Sequence, residues 1–324
     1  MSDLSNDRGY VTDGGMETDL IFHRGIDLPE FAAFPLLEEA TGRALLGAYY
    51  DDYAQVAARV GAGLVLESPT WRANPDWGAR LGYGPTRLAA IDREAVRFLH
   101  GLAAGYAQDV PDVLVCGMVG PRGDGYVVGR VMSSDEAAEY HRPQIDSFAA
   151  SGVDVVTAYT LTGVTEAIGI VEAARGARVA VAVSFTVEVD GLLPDGTGLA
   201  EALAIVEAAA PPDYFLVNCA HPDHIAAGLT ATGLPVAGLE KSGVEAGGWR
   251  SRIAGIRYNA SRLSHADLDA AQELDEGDPV ALARAHASLG GLLPGLRIVG
   301  GCCGTDARHV AALWGADSTG LHAA

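Results

Sequence analysis

Residues 178–219 read RVAVAVSFTVEVDGLLPDGTGLAEALAIVEAAAPPDYFLVNC. Two runs rich in apolar and β-branched residues, 178–186 and 213–219, flank an alanine- and leucine-rich stretch at 199–209. Nearly continuous apolar runs are typical of strands buried on both faces of a parallel sheet. Alanine and leucine favour a helix between them. The segment therefore predicts a β–α–β unit.

The same alternation of strand-like and helical segments extends along the chain. Ser133, with Glu136 three residues later, has the spacing of a capping box at a helix start. The other strand-like runs lie at 9–14, 63–68, 113–120, 153–160, 234–240 and 296–301. Eight strands that alternate with helices in a chain of 324 residues predict an α/β fold, a single (β/α)8 TIM barrel that covers residues 1–324.

Two connections in this predicted barrel are longer than ordinary βα loops. One follows the second strand at residues 68–94, and the other follows the seventh strand at residues 241–290. Long insertions at the carboxyl ends of barrel strands commonly carry function. We therefore expect extended functional loops after strands 2 and 7.

Composition and charge exclude several classes of partner. The formal net charge is −20, which repels nucleic-acid backbones and anionic membrane surfaces. No apolar run approaches the length that spans a bilayer, and the N-terminal residues lack the pattern of a secretory signal. We expect a cytoplasmic protein that acts on small molecules, and the sequence makes no prediction of its oligomeric state.

Chemically active side chains collect where the predicted strands end. The active site of a barrel lies at the carboxyl ends of its strands. Cys116 lies inside the third strand, so we interpret it as a core residue. The residues at or just after strand ends are Asp13, Glu67, Tyr159, Cys219, Glu240, Cys302 and Cys303.

Three of the four cysteines, Cys219, Cys302 and Cys303, converge on this predicted rim. Three thiolates are a suitable ligand set for Zn²⁺, and they leave its fourth position open for water or a substrate sulfur. A Cys302–Cys303 disulfide and unpaired core cysteines are the alternatives. His221, two residues after Cys219, is a further candidate ligand or a neighbour of the site.

Several motifs resemble the zinc-dependent homocysteine S-methyltransferases. VNCAHP at 217–222 and GGCCGT at 300–305 carry the resemblance, together with VTDGGMETDL at 11–20 and VGPRG at 119–123. The resemblance covers essentially the whole chain. It implies Zn²⁺ held by Cys219, Cys302 and Cys303, and methyl transfer from a sulfonium donor, S-methylmethionine or S-adenosylmethionine, to the homocysteine thiol.

The same resemblance implies roles in substrate binding. Asp13 would bind the substrate ammonium, and the backbone amides around Gly14 and Gly15 would face the carboxylate. Tyr159 stands where relatives carry a glutamate for the ammonium, so we expect Glu67 to take over that contact or the accepted thiol to differ from homocysteine. GLEKSG at 238–243, which contains the only lysine, Lys241, replaces an asparagine-containing pattern.

A cationic donor is expected to rest against aromatic rings of the rim. The candidates are Trp71, Tyr126, Tyr159 and Trp249. Two other functions stay open from the sequence. One is an enzyme of this fold that methylates a different thiol or selenol, and the other is a non-catalytic barrel that binds zinc or thiols.

Overall fold

The computed structural model describes residues 8–231 and 248–321. Eight parallel strands close into a barrel in chain order, and β1 pairs with both β2 and β8. The strands are β1 (Tyr10–Val11), β2 (Gly63–Glu67), β3 (Val113–Val119), β4 (Val155–Leu161), β5 (Val181–Phe185), β6 (Tyr214–Ala220), β7 (Ile253–Tyr258) and β8 (Ile298–Gly301). The predicted (β/α)8 barrel is confirmed.

Helices connect the strands on the outside of the barrel. The α-helices of the described residues are α1 (Met16–Thr18), α2 (Ala40–Val60), α3 (Pro75–Arg80), α4 (Pro85–Tyr106), α5 (Ser134–Ser151), α6 (Val164–Ala177), α7 (Leu199–Ala209), α8 (Pro222–Thr230), α9 (His265–Ala270), α10 (Pro279–Leu289) and α11 (Ala307–Leu313). A π-helical turn (Asp19–His23) and 3-10 helices (Pro29–Phe31, Phe34–Glu38 and Gly248–Arg252) complete them. Within these residues, no helix combines the length and apolar character needed to cross a membrane.

The strands are apolar on both faces because the barrel buries both. Val65 and Leu216 belong to a small cluster inside the barrel, whereas their neighbours Leu64 and Val217 belong to the larger core between strands and helices. Successive side chains of a strand point to opposite faces. The near-continuous apolar runs therefore follow from the two buried faces.

Local sequence signals set the helix ends that the sequence predicts. Ser133 caps α5 by accepting a hydrogen bond from the Glu136 amide, and the Glu136 side chain accepts one from the Ser133 amide. The helix ends at Gly152, which has a φ of 82°. That left-handed conformation suits glycine, which has no Cβ. The capping box is confirmed.

The prediction for the seventh strand requires a correction. Residues 234–240 lie outside the described part of the chain, and the strand that pairs with β6 and β8 is β7 at Ile253–Tyr258. The long connection after this strand therefore spans residues 259–297 rather than 241–290, and it contains α9 and α10. After β2, residues 68–84 form the extension, which contains α3.

Candidate metal centre and substrate cavity

The barrel topology brings Cys219, Cys302 and Cys303 together. Cys219 lies near the end of β6, and the other two follow β8 directly. Their three sulfur atoms all lie within 4.8 Å of one another. Residues that are 83 positions apart in the chain thus meet because the carboxyl ends of β6 and β8 share one rim.

Cys219 and Cys302 form a disulfide, with their Cα atoms 5.4 Å apart. The alternative considered from sequence, a Cys302–Cys303 pair, is not formed, and Cys303 is free. Adjacent Cα atoms are only about 3.8 Å apart, which is shorter than the usual separation across a disulfide. Neighbouring cysteines are therefore poorly placed to pair with each other.

The sulfur atoms also fit a shared metal ion once the disulfide is reduced. The Sγ atom of Cys303 lies 3.9 Å from that of Cys219. Two sulfur ligands of one tetrahedral ion such as zinc lie roughly 3.8 Å apart. The donor set, three thiolates on one rim, is therefore suited in both chemistry and spacing to a soft metal ion.

Tyr126 covers the cysteine cluster from the loop that follows β3. Its hydroxyl oxygen lies 3.3 Å from Cys219 Sγ and 3.4 Å from Cys303 Sγ. The ring stacks on His265 of α9, with ring centres 4.0 Å apart. Burial raises the pKa of Tyr126 well above its ordinary value, so the phenol stays protonated and can donate a hydrogen bond to a cysteine sulfur.

The backbone of Cys219 adopts an unusual conformation that its neighbours hold in place. Its φ is 54°, in the left-handed region that L-residues rarely adopt. His265 Nε2 lies 2.7 Å from the Cys219 carbonyl oxygen, and the Thr186 hydroxyl donates to the same oxygen at 3.3 Å. The second ring nitrogen of His265 lies 2.8 Å from Glu188 Oε1. This network holds the backbone of Cys219 in that conformation.

A buried charge cluster lies beside the cysteines. Arg257 of β7 donates hydrogen bonds to the carboxylates of Asp13 and Glu67. It also donates to the carbonyl oxygens of Gly301 at 2.7 Å and Gly14 at 2.8 Å. One guanidinium thus joins the ends of β1, β2 and β8.

Tyrosine hydroxyls complete the hydrogen bonds of these carboxylates. Tyr159 donates to Glu67, and Tyr49 donates to Asp13 at 3.2 Å. Burial raises the pKa of Asp13, and the charge of Arg257 opposes that rise. Burial also raises the pKa of Tyr159 well above its ordinary value. The structure therefore brings Glu67 and Tyr159 together, and their contacts with a substrate stay predictions.

Gly14 and Gly15 allow the loop after β1 to pack closely on the loop after β8, which contains Cys302 and Cys303. A Cβ atom at Gly15 would lie 2.5 Å from the carbonyl oxygen of Cys302, and one at Gly14 would lie 2.7 Å from that of Thr305. The Gly15 amide already donates to the Thr305 carbonyl at 3.0 Å. Because the Gly15 amide is already hydrogen-bonded, we predict a contact with a substrate carboxylate only for the Gly14 amide.

A cavity of about 410 Å³ opens onto the cysteines. This volume suits a small-molecule ligand. Trp71, Tyr126 and Tyr159 line the cavity, as the sequence predicts, whereas Glu67 is not one of its lining residues. The other polar wall residues include Asp13, Glu17, Arg72, Asp124, Asn218, Arg257, Asp269 and Glu273.

Five other residues that the sequence singles out are not part of this site within the described residues. Cys116 is buried in the barrel core, and Trp249 is buried in the larger core outside the barrel. His221 caps α8 by accepting from the Asp223 amide, and burial lowers its pKa to about 4. Glu240 and Lys241 lie outside the described residues.

Arg257 is the residue that the sequence prediction misses. The sequence predicts the seventh strand at 234–240, and this prediction assigns Arg257 to the long loop that follows it. The signal that locates it is IAGIRYNA at 253–260, a short β-prone run followed by asparagine. Tyr258 and Asn259 within it also provide an asparagine-containing pattern at the end of the true seventh strand.

Comparisons with known proteins agree with this architecture. A family model described as homocysteine S-methyltransferase matches residues 10–316. No curated protein gives a match.

Solved structures of the homocysteine methyltransferase MmuM from Escherichia coli share the fold at 22% sequence identity. The oxidised form covers 96% of both chains with a TM-score of 0.74. The metallated form covers 96% of this chain and 97% of its own, with a TM-score of 0.71, and the apo form covers 96% of both with a TM-score of 0.65.

Proposed function

Because this chain belongs to the homocysteine S-methyltransferase family, we propose that it transfers a methyl group to the thiol of homocysteine at the three-cysteine cluster and forms methionine. The observation that carries the proposal is the convergence of Cys219, Cys302 and Cys303, whose sulfur atoms lie within 4.8 Å of one another beside a cavity of about 410 Å³. The nucleophile in thiol S-methylation is a thiolate. A metal ion held by cysteines would favour the thiolate form of the substrate thiol, so the cysteine cluster suits this reaction.

The metal that best fits these ligands is Zn²⁺, held by Cys219, Cys302 and Cys303. A zinc ion bound by three thiolates supplies an open position that favours the deprotonated form of a substrate thiol near neutral pH. The E. coli relative has been solved in a metallated form. Reduction of the Cys219–Cys302 disulfide is a prerequisite, because a disulfide sulfur is not a thiolate ligand.

The methyl donor is a sulfonium compound, S-methylmethionine or S-adenosylmethionine. The thiolate electron pair forms the new carbon–sulfur bond, and the broken carbon–sulfur bond leaves its pair on the donor sulfur. The donor loses its positive charge and departs as a neutral thioether. The proton of the homocysteine thiol passes to solvent before transfer, so the step needs no general base.

Residues of the chain orient the reaction partners. Trp71, Tyr126 and Tyr159 present aromatic rings to the cavity, and their faces attract a sulfonium cation. The Tyr126 hydroxyl at 3.3 Å and 3.4 Å from two cysteine sulfurs limits the space above the cluster. It thereby directs the reacting methyl group to one side of the homocysteine sulfur.

The test measures metal content and product with the same protein. The reduced enzyme, loaded with zinc, is mixed with homocysteine and either sulfonium donor, and methionine is quantified. Cys303→Ser is expected to lose bound zinc and activity together. Cys116→Ala is the matched control, because Cys116 is buried away from the cluster, and it should keep both. Full activity of the wild type without bound metal would overturn the proposed role of zinc.

A further inference from the structure

The proposed substrate carries an α-ammonium group that a carboxylate of the site must recognise. Asp13 and Glu67 are the carboxylates that the sequence predicts for this contact. Both are already paired with Arg257, and both accept a further hydrogen bond from a tyrosine. Glu67 also lies outside the cavity wall. A different carboxylate is therefore better placed to meet the ammonium directly.

Glu17 is such a carboxylate. It lies in the short helix α1, directly after the Gly14–Gly15 turn, and it lines the same cavity as Cys303. Within residues 8–231 and 248–321, its carboxylate has no ion pair and no hydrogen bond to another residue's side chain. Its own backbone amide favours the ionised form of this carboxylate. The carboxylate thus presents free acceptor oxygens to the cavity.

The electrostatic surroundings of Glu17 favour a cationic ligand. Burial raises its pKa to about 7, and the nearby charge of Asp13 adds to the rise. The positive charges of Arg257 and Arg72 only partly offset these effects. A bound ammonium would stabilise the ionised carboxylate through a charge-assisted hydrogen bond.

The position of Glu17 also suits the dimensions of homocysteine. Glu17 and the three cysteines line one cavity of about 410 Å³, so Glu17 and the cysteine cluster border the same small volume. Four covalent bonds separate the sulfur of homocysteine from its α-nitrogen. A homocysteine whose sulfur is at the cluster therefore keeps its ammonium within the part of the cavity that Glu17 lines.

We propose that Glu17 binds the α-ammonium group of homocysteine and makes the site specific for amino-acid thiols. This inference rests on the proposed function. Arg257 then has a separate role: its single positive charge is shared by Asp13 and Glu67. Glu17 pairs with no cation within the described residues, so it is available to the substrate ammonium.

The experiment compares two acceptors that differ only in the amino group. Homocysteine and 4-mercaptobutanoate are methylated from S-methylmethionine by wild-type enzyme and by Glu17→Gln. The variant should raise KM for homocysteine about 10-fold or more, as expected for loss of a hydrogen bond to a charged group. KM for 4-mercaptobutanoate and kcat should stay unchanged, and Glu17→Asp should give an intermediate KM.

Glu172→Gln is the matched control. Glu172 is exposed on α6 and does not line the cavity, so this variant removes an equal charge away from the site, and both KM values should stay as in the wild type. Equal effects of Glu17→Gln on both acceptors, or an effect on the donor KM alone, would overturn the proposal.

Calorimetric titration of the two thiols into zinc-loaded wild type and Glu17→Gln gives an answer that needs no turnover. Weaker binding of homocysteine alone to the variant supports the role of Glu17, and unchanged binding contradicts it. A wild type that binds homocysteine but forms no methionine would count against the proposed function and not against this contact.

Discussion

Arg257 places one positive charge between two carboxyl groups that come from different strands. Its side chain is about 6% exposed, and the side chains of Asp13 and Glu67 are 3% and 1% exposed. Without the guanidinium, two buried carboxylates would repel each other and lack counter-charge. Removal of one partner from a buried ion pair is strongly destabilising, because it leaves an uncompensated buried charge.

We therefore predict that Arg257→Met lowers the free energy of unfolding by about 3–5 kcal/mol, measured by urea denaturation. The double variant Arg257→Met/Glu67→Gln should recover part of this lost stability, since it removes one of the two buried carboxylates that Arg257→Met leaves without a counter-charge. Arg97→Met is the control, because Arg97 is 72% exposed in its pair with Glu94, and exposed pairs contribute little. Equal losses in Arg257→Met and Arg97→Met would contradict the prediction.

The cysteines and Arg257 differ in how readily the sequence reveals them. Cys219, Cys302 and Cys303 follow clear strand-like runs and carry recognisable motifs, so their convergence follows from the barrel alone. Arg257 lies inside a strand, and a positive charge within an apolar run weakens the signal by which strands are found. Its partners Asp13 and Glu67 are distant in sequence, and only the closed barrel brings them beside it.

At the scale of elements, β7 shows where sequence patterns stop being sufficient. The run at 234–240 has its one charged residue at its end, whereas Ile253–Tyr258 has Arg257 within it, so a search for uninterrupted apolar runs favours 234–240. The true strand is defined by its neighbours: Gly255 pairs with Leu216 of β6 and with Ile298 of β8. A Cβ at Gly255 would lie 2.5 Å from the Leu216 side chain. The helices were predicted more accurately, because capping and composition are local.

The helix α11 anchors the loop that carries two of the cysteines. Asp306, three residues after Cys303, caps α11 by accepting from the amides of Arg308 and His309. Although burial opposes its charged form, hydrogen bonds from His309 and Arg308 hold the pKa of Asp306 well below its ordinary value. The pKa of Asp306 is lower in the folded protein than in the unfolded chain. Its ionised carboxylate therefore stabilises the fold at pH values above the unfolded-state pKa, and this stabilisation is lost as the pH falls towards the folded-state pKa.

We expect Asp306→Asn to reduce the free energy of unfolding by about 1 kcal/mol at neutral pH. The difference between variant and wild type should shrink as the pH falls below about 4, the ordinary pKa of an aspartate. Denaturation curves between pH 7 and pH 3 measure it. A difference that stays constant over this range would show that the charge of Asp306 is not what stabilises the helix.

At the scale of the whole molecule, the cysteine cluster connects β6 to the segment after β8. In the barrel order these two strands are separated by β7. A metal ion bound to the folded protein and not to the unfolded chain stabilises the fold by mass action. The proposed zinc ion therefore acts as a structural link as well as a participant in the reaction.

This link predicts that zinc raises the melting temperature of the reduced protein by several degrees, since about 2–3 kcal/mol of binding free energy is available at concentrations well above Kd. Differential scanning calorimetry with zinc and with a chelator measures the shift. Cys116→Ala should show the same shift as the wild type, and Cys303→Ser should show a much smaller one. A full shift in Cys303→Ser would place the stabilising metal elsewhere.

The order of the cysteines along the chain also bears on how the proposed zinc site is assembled in a cell. Cys219 leaves the ribosome before Cys302 and Cys303, which follow 83 and 84 residues later. A nascent chain that has emerged only through β6 offers a single member of the cluster. The three-sulfur cluster therefore forms only after β8 has been synthesised and has joined the barrel, so the proposed zinc would bind only after translation of nearly the whole barrel.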